Sequence, residues 1–285
     1  MPTLVTSTSN LRWRKLKLSY PSIFRNLAVE ETLARAFSLG VQTQPTLRLW
    51  TNPKAVVVGR FQEVFAEVDL RQCELNDVQI ARRFTGGGTV FHDERTLNLT
   101  LVSQRDDGLA DLRFQEAHLQ LVKETLDELG LRSSVSRNSI LIDGRKVCGA
   151  AAAVGLHFAL WHCSILVNTS TQLLELTLAP SKSRDKSRFV HSRWQEVTTL
   201  AKALSRPISV DEVANNLERS IEAKTGAKLE TGRLSIEEER HSQALHSQKY
   251  SSSEWNLNGN RGYAWNAGMI GRLTQQSPYA FAQRP

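Results

Sequence analysis

No apolar run in this 285-residue chain approaches the ~20 residues that a helix needs to cross a bilayer. Basic residues near the start (Arg12, Arg14, Lys15, Lys17) are not followed by an apolar stretch. A secretory signal is therefore not expected, and the chain reads as cytoplasmic with no membrane partner. Cysteine is scarce: Cys73, Cys148 and Cys163 are odd in number and show no paired spacing, which argues against a disulfide framework or a zinc site. Aromatic residues are 7% of the chain, and the basic residues behind its net charge of +7 are spread along it. Neither the aromatic interleaving of a single-strand binder nor a recognition helix is present, so no nucleic-acid partner is expected. A mildly basic face would equally suit an acidic protein partner. Also missing are the Gly-x-x-x-x-Gly-Lys-Ser/Thr and Gly-x-Gly-x-x-Gly loops, so neither of those phosphate-binding mechanisms applies.

What the chain does have is Arg82-Arg83-Phe84-Thr85-Gly86-Gly87-Gly88-Thr89-Val90-Phe91-His92-Asp93, between two strand-like segments. Three successive glycines let the backbone take positive φ and approach a ligand closely, with amide N–H groups converging on one anion. A plain glycine-rich turn is the alternative, and the flanking arginines and His-Asp favour a site. An apolar content of 40% over this length is ordinary for a soluble enzyme and ample for a core. Residues 1–20 show little pattern and read as a frayed arm. Apolar spacing predicts helices over residues 24–39, ended by Gly40, and from Phe114 to Leu129. Thr46–Trp50 and Ala55–Val58 read as strands joined as a hairpin across Asn52-Pro53. In residues 96–102 the leucines 97, 99 and 101 alternate with Asn98 and Thr100, which turns Asn98 towards a ligand if the leucines face the core. Asp143-Gly144 is a two-residue hairpin turn that puts Lys146 at the start of a returning strand. Residues 161–167 read as a further strand. Ser209 with Glu212 and Ser235 with Glu238 fit helix capping boxes. The basic, serine-rich residues 181–193 read as a solvated loop or a closing lid, and residues 259–285 as a loosely held tail.

The run from Arg82 to Asp93 with Leu97-Asn98 resembles the signature of lipoate–protein ligases, which share one fold superfamily with octanoyltransferases and biotin ligases. Lys146-Val147-Cys148-Gly149-Ala150-Ala151 resembles that family's lysine motif, and Lys249-Tyr250 with Glu254-Trp255-Asn256 its closing motif. The resemblance spans about residues 24–258, and three ordered motifs are far more specific than one. It implies an α+β catalytic domain over residues 1–258, with mixed, largely antiparallel sheets flanked by helices. It further implies ATP-dependent activation of lipoic acid to lipoyl-AMP, with Mg2+ bridging the phosphates, and transfer of the lipoyl group to a lysine of a carrier. Lipoyl domains of 2-oxoacid dehydrogenase acyltransferases and the glycine-cleavage H protein are carriers of that kind. Arg83, Gly86, Gly87, Gly88, Thr89, Val90 and Phe91 would hold the nucleotide. Lys146 would touch nucleotide and lipoate as the catalytic residue, with Gly87, Gly88, Asn98 and Asn138 also at the lipoate. Gly59-Arg60-Phe61-Gln62 would line the pocket or simply leave a strand. His92 reads as a satisfied structural histidine, and Cys148 as a small packed side chain rather than a nucleophile.

Two departures stand out. Arg95-Thr96 follows His-Asp-x where the family carries glycine and then asparagine or aspartate, so the turn there must differ. About 27 residues follow the closing motif, too few for the family's accessory domain, so a separate accessory polypeptide is expected. It would dock around Trp255, Tyr263 and Trp265, unless those aromatics pack on their own domain. The competing readings are an ATP-independent octanoyl or lipoyl transferase of the same fold and a non-catalytic module that binds lipoylated carriers. Cysteine-dependent members place the thiol upstream of the lysine, and residues 130–145 contain none.

Overall fold

The structure is a computed structural model that describes residues 12–105, 112–179 and 190–259. Strand β1 (Arg12–Lys17) precedes helix α1 (Ile23–Ser38), which Ser22 caps by accepting the Arg25 amide. Strands β2 (Thr46–Trp50) and β3 (Ala55–Val58), short helices α2 (Val64–Glu67) and α3 (Leu70–Leu75), and strands β4 (Gln79–Arg82), β5 (Val90–His92) and β6 (Thr96–Gln104) follow. Helix α4 (Leu112–Glu128) leads into the meander β7 (Ser133–Ser136), β8 (Ser139–Ile142), β9 (Arg145–Val154) and β10 (Phe158–Leu166). Then come α5 (Thr171–Thr177), α6 (Leu200–Leu204), α7 (Val210–Thr225), β11 (Lys228–Thr231) and α8 (Ile236–Leu245). Two π-helical turns, His246–Tyr250 and Glu254–Asn258, close the described chain.

Eight strands form one sheet in the order β11-β1-β2-β6-β10-β9-β8-β7, antiparallel from β2 to β7 and parallel at its β11-β1-β2 end. Its alternation divides the chemistry. Leu47, Leu49, Leu97, Leu99, Leu101, Trp161, Cys163 and Ile165 point to the face covered by α4 and α7, where they form the largest core. The neighbours between them, Arg48, Trp50, Asn98, Thr100, His162 and Ser164, point to the other face, against α1. There the sheet meets the smaller one, β4-β3-β5. Cys148 lies in the main core at 0% exposure beside Cys163, as a packed side chain.

The predicted helices, the Asp143-Gly144 turn (φ 49° and 75°) and both helix caps are found in the structure, Ser235 and Glu238 capping reciprocally. Two expectations are corrected. Residues 12–17 are a sheet strand and not part of a frayed arm, because Arg14 is paired with Glu238 at 2.6 and 2.7 Å, a partner 224 residues away that local pattern cannot reveal. Nor do β2 and β3 form a hairpin. Asn52, buried and tied to Asn26 and His92, turns the chain out of the large sheet, and β3 pairs instead with β4 and β5. Residues 1–11, most of the loop (180–189), and the tail with Tyr263 and Trp265 lie outside the described residues.

Candidate active site

A cavity of about 560 Å³ opens where the glycine loop passes over the polar face of the large sheet. Arg83, Gly88, Thr89, Val90, Asn98, Asn138 and Lys146 all line it, so most of the site expected from sequence is brought together. Gly86, Gly87 and Phe91 do not. Phe91 is 1% exposed, packed under the loop, and lines an adjoining apolar pocket of about 80 Å³.

The loop's shape follows from its residues. Gly87 takes φ +90°, and a Cβ there would stand 3.0 Å from Arg83 Nη2 and 3.4 Å from the Ala151 methyl. Arg83 is spent on the backbone, donating to the carbonyls of Val57 (3.1 Å), Gly86 (2.6 Å) and Gly88 (2.8 Å) and to Thr85 Oγ1 (3.0 Å). Burial, with the charge of Arg82 beside it, pushes its pKa down to about 10. Arg82 ties the loop to the closing turns, through the carbonyls of Gly59, Gln62, Trp255 and Leu257. Trp255 returns its indole N–H to the Arg82 carbonyl at 2.8 Å and is 2% exposed, so it packs on its own domain and offers no docking surface. Gly59-Arg60-Phe61-Gln62 supports the loop from behind rather than lining the cavity, with Gln62 Oε1 accepting from the Gly59 amide and the Thr89 hydroxyl. The amides of Gly86, Gly87 and Gly88 meet no acceptor among the described residues. The Thr89 amide donates to Ser192 Oγ at 2.9 Å. After the loop, Asp93 makes the turn that departs from the family pattern, accepting from the Arg95 amide (3.0 Å) and the Thr96 hydroxyl (3.1 Å).

Lys146 is set by a bulge. Ile140 faces Cys148 while Leu141 faces Lys146, which leaves Val147 as the extra residue that re-aims the strand end. Its main chain is clamped on the far side by Glu196 and Thr198. The side chain folds over Gly149, where a Cβ would come within 2.6 Å of Cε and 2.7 Å of Nζ, so a larger residue there would push the lysine end out of this position. Nζ has no acceptor among the described residues. Burial, with the Arg83 guanidinium adding to it, lowers the lysine pKa from its ordinary value. Such an ammonium invites an anion. Asn138 follows the positive-φ turn residue Arg137 and is bonded both ways to the Ala150 backbone, at 2.8 and 2.9 Å.

Two rows of side chains cross the sheet beneath the cavity, and apart from Asn98 and Gly149 no sequence motif announced their members. Arg48, Thr100 and His162 stand opposite one another, and so do Trp50, Asn98, Ser164 and Gly149. Glu30 of α1, 1% exposed, accepts from Arg48 (3.2 Å), Thr100 (2.8 Å) and His162 (3.1 Å). Burial opposes its charge, but the His162 hydrogen bond and the Arg48 guanidinium win and hold its pKa below the usual carboxylate range. In the second row His92 bonds Asn52 through Nδ1 and Ser164 through Nε2, both at 2.8 Å, and Ser164 donates to Asn98 Oδ1 at 2.7 Å. His92 is thus satisfied on both nitrogens, as expected, but it also lines the cavity. Beyond the alternation of Asn98 and Thr100 in β6, their trace in the sequence is polar residues at alternate positions of β2 and β10 and the Glu30-Glu31 pair inside an apolar helix.

A family model, the lipoyl protein ligase A/B catalytic domain, matches residues 22–222. This chain belongs to that family. It is an enzyme of the lipoate–protein ligase group, and its fold class is the α+β one the motifs implied. Lipoate-protein ligase A subunit 1 of Thermoplasma acidophilum is 30% identical over 256 residues, 86% of this chain and 96% of the relative. The structure of the bipartite lipoate protein ligase of that organism, described with its E2 lipoyl domain, superposes with a TM-score of 0.78 at 29% identity, covering 90% of this chain and 100% of that one. A lipoate-protein ligase A solved with ATP bound gives 0.76 at 29% identity, covering 86% and 98%. The family also holds octanoyltransferases: LipM of Symbiobacterium thermophilum is 28% identical, covering 86% of this chain and 98% of the relative.

Proposed function

We propose that the protein is the catalytic subunit of an ATP-dependent lipoate–protein ligase. The observation that carries this reading is a half-buried ammonium, Lys146, with no counter-ion among the described residues, on the same cavity as a loop whose glycine amides lack acceptors. A carboxylate and a polyphosphate are the anions that fit such a pair.

The chemistry then follows in two steps. A carboxylate oxygen of lipoate attacks the α-phosphorus of ATP, and pyrophosphate leaves to give lipoyl-AMP. The ε-amine of the carrier lysine then attacks the acyl carbon, and AMP leaves as the amide forms. Lys146 binds the carboxylate and the α-phosphate and offsets the charge that builds between them. The amides of Gly86, Gly87 and Gly88 with Thr89 and Val90 hold the phosphates, and Arg83 keeps that loop in shape from beneath. Gly88, Asn98 and Asn138 border the acyl chain, between the apolar walls of Leu27, Trp50 and Val90. The wall carries no carboxylate among the described residues, and no acidic cluster there could hold a metal, so the Mg2+ expected with ATP would travel on its phosphates.

Arg137, His191 and Arg193 line the cavity and suit an acidic carrier such as a lipoyl domain or an H protein. The subunit naming and bipartite description of the Thermoplasma relative support a separate accessory polypeptide here too. No helix among the described residues is long and apolar enough to cross a membrane. The test is pyrophosphate release dependent on both ATP and lipoate, followed by carrier lipoylation with and without a candidate accessory protein. Acyl transfer from an octanoylated carrier without ATP would overturn the ligase reading in favour of the transferase.

A further inference from the structure

The row Gly149, Ser164, Asn98 crosses three adjacent strands, and Lys146 lies over its first member while Asn98 is its third. Strands lie ~4.8 Å apart, so the Lys146 ammonium and the Asn98 amide mark two points about 10 Å apart on the same cavity wall. That separation is the reach of an extended eight-carbon acyl chain. A carboxylate held at Lys146 therefore puts the far end of its chain at Asn98.

Asn98 is 2% exposed, and its Nδ2 has no acceptor among the described residues. Its orientation is fixed by a one-way relay of hydrogen bonds. Arg48 donates to Asn26 Oδ1 (2.9 Å), Asn26 Nδ2 to Asn52 Oδ1 (2.8 Å), and Asn52 Nδ2 to His92 Nδ1. Since the single hydroxyl proton of Ser164 goes to Asn98 Oδ1, His92 must present its proton to Ser164 from Nε2. Burial, with the charges of Arg83 and His162 adding to it, pushes the His92 pKa down to about 3, which keeps the ring in that neutral form. With Oδ1 turned to Ser164, the amide N–H of Asn98 is left for a ligand.

We propose that Asn98 reads the far end of the acyl chain by donating this N–H to a dithiolane sulfur, that His92 is the positioning residue behind it, and that the site thereby prefers lipoate to octanoate. This rests on the acyl-ligase reading above. A methyl-terminated chain leaves a buried donor unmet, whereas a ring sulfur accepts it weakly, so the preference is modest, about tenfold.

The test is calorimetric titration of the full chain with lipoate and with octanoate, without nucleotide. The unaltered protein binds lipoate about tenfold more tightly. Asn98→Leu brings the ratio close to one while octanoate still binds, and Asn98→Ala, which also has no donor, does the same with less change in volume should the leucine disturb folding. His92→Leu lowers the ratio as well, whereas His92→Gln, which can accept from Asn52 and donate to Ser164, restores it. An unaltered protein that binds both acids equally, or an Asn98 variant that keeps the original ratio, overturns this inference and leaves the ligase reading intact. Failure to bind either acid overturns both.

Discussion

The two walls of the cavity are made by different means. The glycine loop presents backbone amides and occupies one run of neighbours in the chain, from Arg83 to Val90. The floor presents side chains from α1, β2, β6 and β10, joined by hydrogen bonds between residues up to 132 positions apart. The first kind of wall tolerates little change at Gly87, where its shape depends on a conformation that only glycine takes without strain. The second can lose a member and keep its shape, at a cost set by the buried partner left behind.

The largest effect is expected where the two walls share a single charge. Lys146→Ala removes the cation expected to serve both carboxylate and phosphate, while its main chain stays clamped between Leu141 and Val197. Lipoyl-AMP formation should fall by at least a hundredfold, about 3 kcal/mol, with the melting temperature little changed. Pyrophosphate release in the variant at the original rate would remove Lys146 from the chemistry.

The loop can be broken selectively. Gly87→Val forces a β-branched residue to φ +90° with its Cβ 3.0 Å from Arg83 Nη2, and nucleotide affinity should fall by ten- to a hundredfold. Gly86→Ala should be nearly silent, since its Cβ would meet only the Phe61 ring at 3.7 Å. Equal losses in titrations of the two variants would mean that three glycines matter for close ligand approach alone, and not for the φ of one of them.

The same contrast explains what could be read from the sequence. The glycine loop, the Asp143-Gly144 turn and the alternation around Asn98 are local patterns, and each was legible. Glu30, His162 and Ser164 were not, because each acquires its meaning only when the sheet registers β2, β6 and β10 side by side. Strand β1 was hidden for a similar reason: Arg14 is buried by a distant glutamate, so its sequence reads as solvated. The resemblance also drew on Lys249 and Tyr250, and in the structure these two serve the scaffold. Their side chains reach Glu31 of α1, at 2.7 and 2.6 Å.

That scaffold role gives a pH dependence. Glu31 is fully enclosed; burial opposes its ionisation, yet Lys249, Arg35 and the Tyr250 hydroxyl bring its pKa from 4.5 to about 2. A carboxylate whose folded pKa is depressed contributes stability above its unfolded value, lost as pH falls from 4.5 through 2. Lys249 stays protonated in both folded and unfolded states over this range, so its own burial-lowered pKa adds no slope here, and the loss is on the order of 3 kcal/mol. Denaturant titrations over this range should show that slope in the unaltered protein and not in Glu31→Gln. An identical slope in both would place the acid sensitivity elsewhere.

The smallest effect concerns a contact between the loop and the segment that returns to cover it. Ser192 Oγ accepts from the Thr89 amide (2.9 Å) and from Gln62 Nε2 (3.0 Å), and its own amide donates to Glu67 at 3.0 Å. A phosphate oxygen arriving at the loop would compete for the Thr89 N–H, so the hydroxyl stands against nucleotide by roughly the net worth of one hydrogen bond, about 1 kcal/mol. Ser192→Ala should therefore tighten nucleotide binding by about fivefold and lower the melting temperature slightly, since two donors lose their acceptor. If nucleotide binding weakens instead, Ser192 is itself a ligand of the phosphates, and the covering segment belongs to the binding wall rather than competing with it.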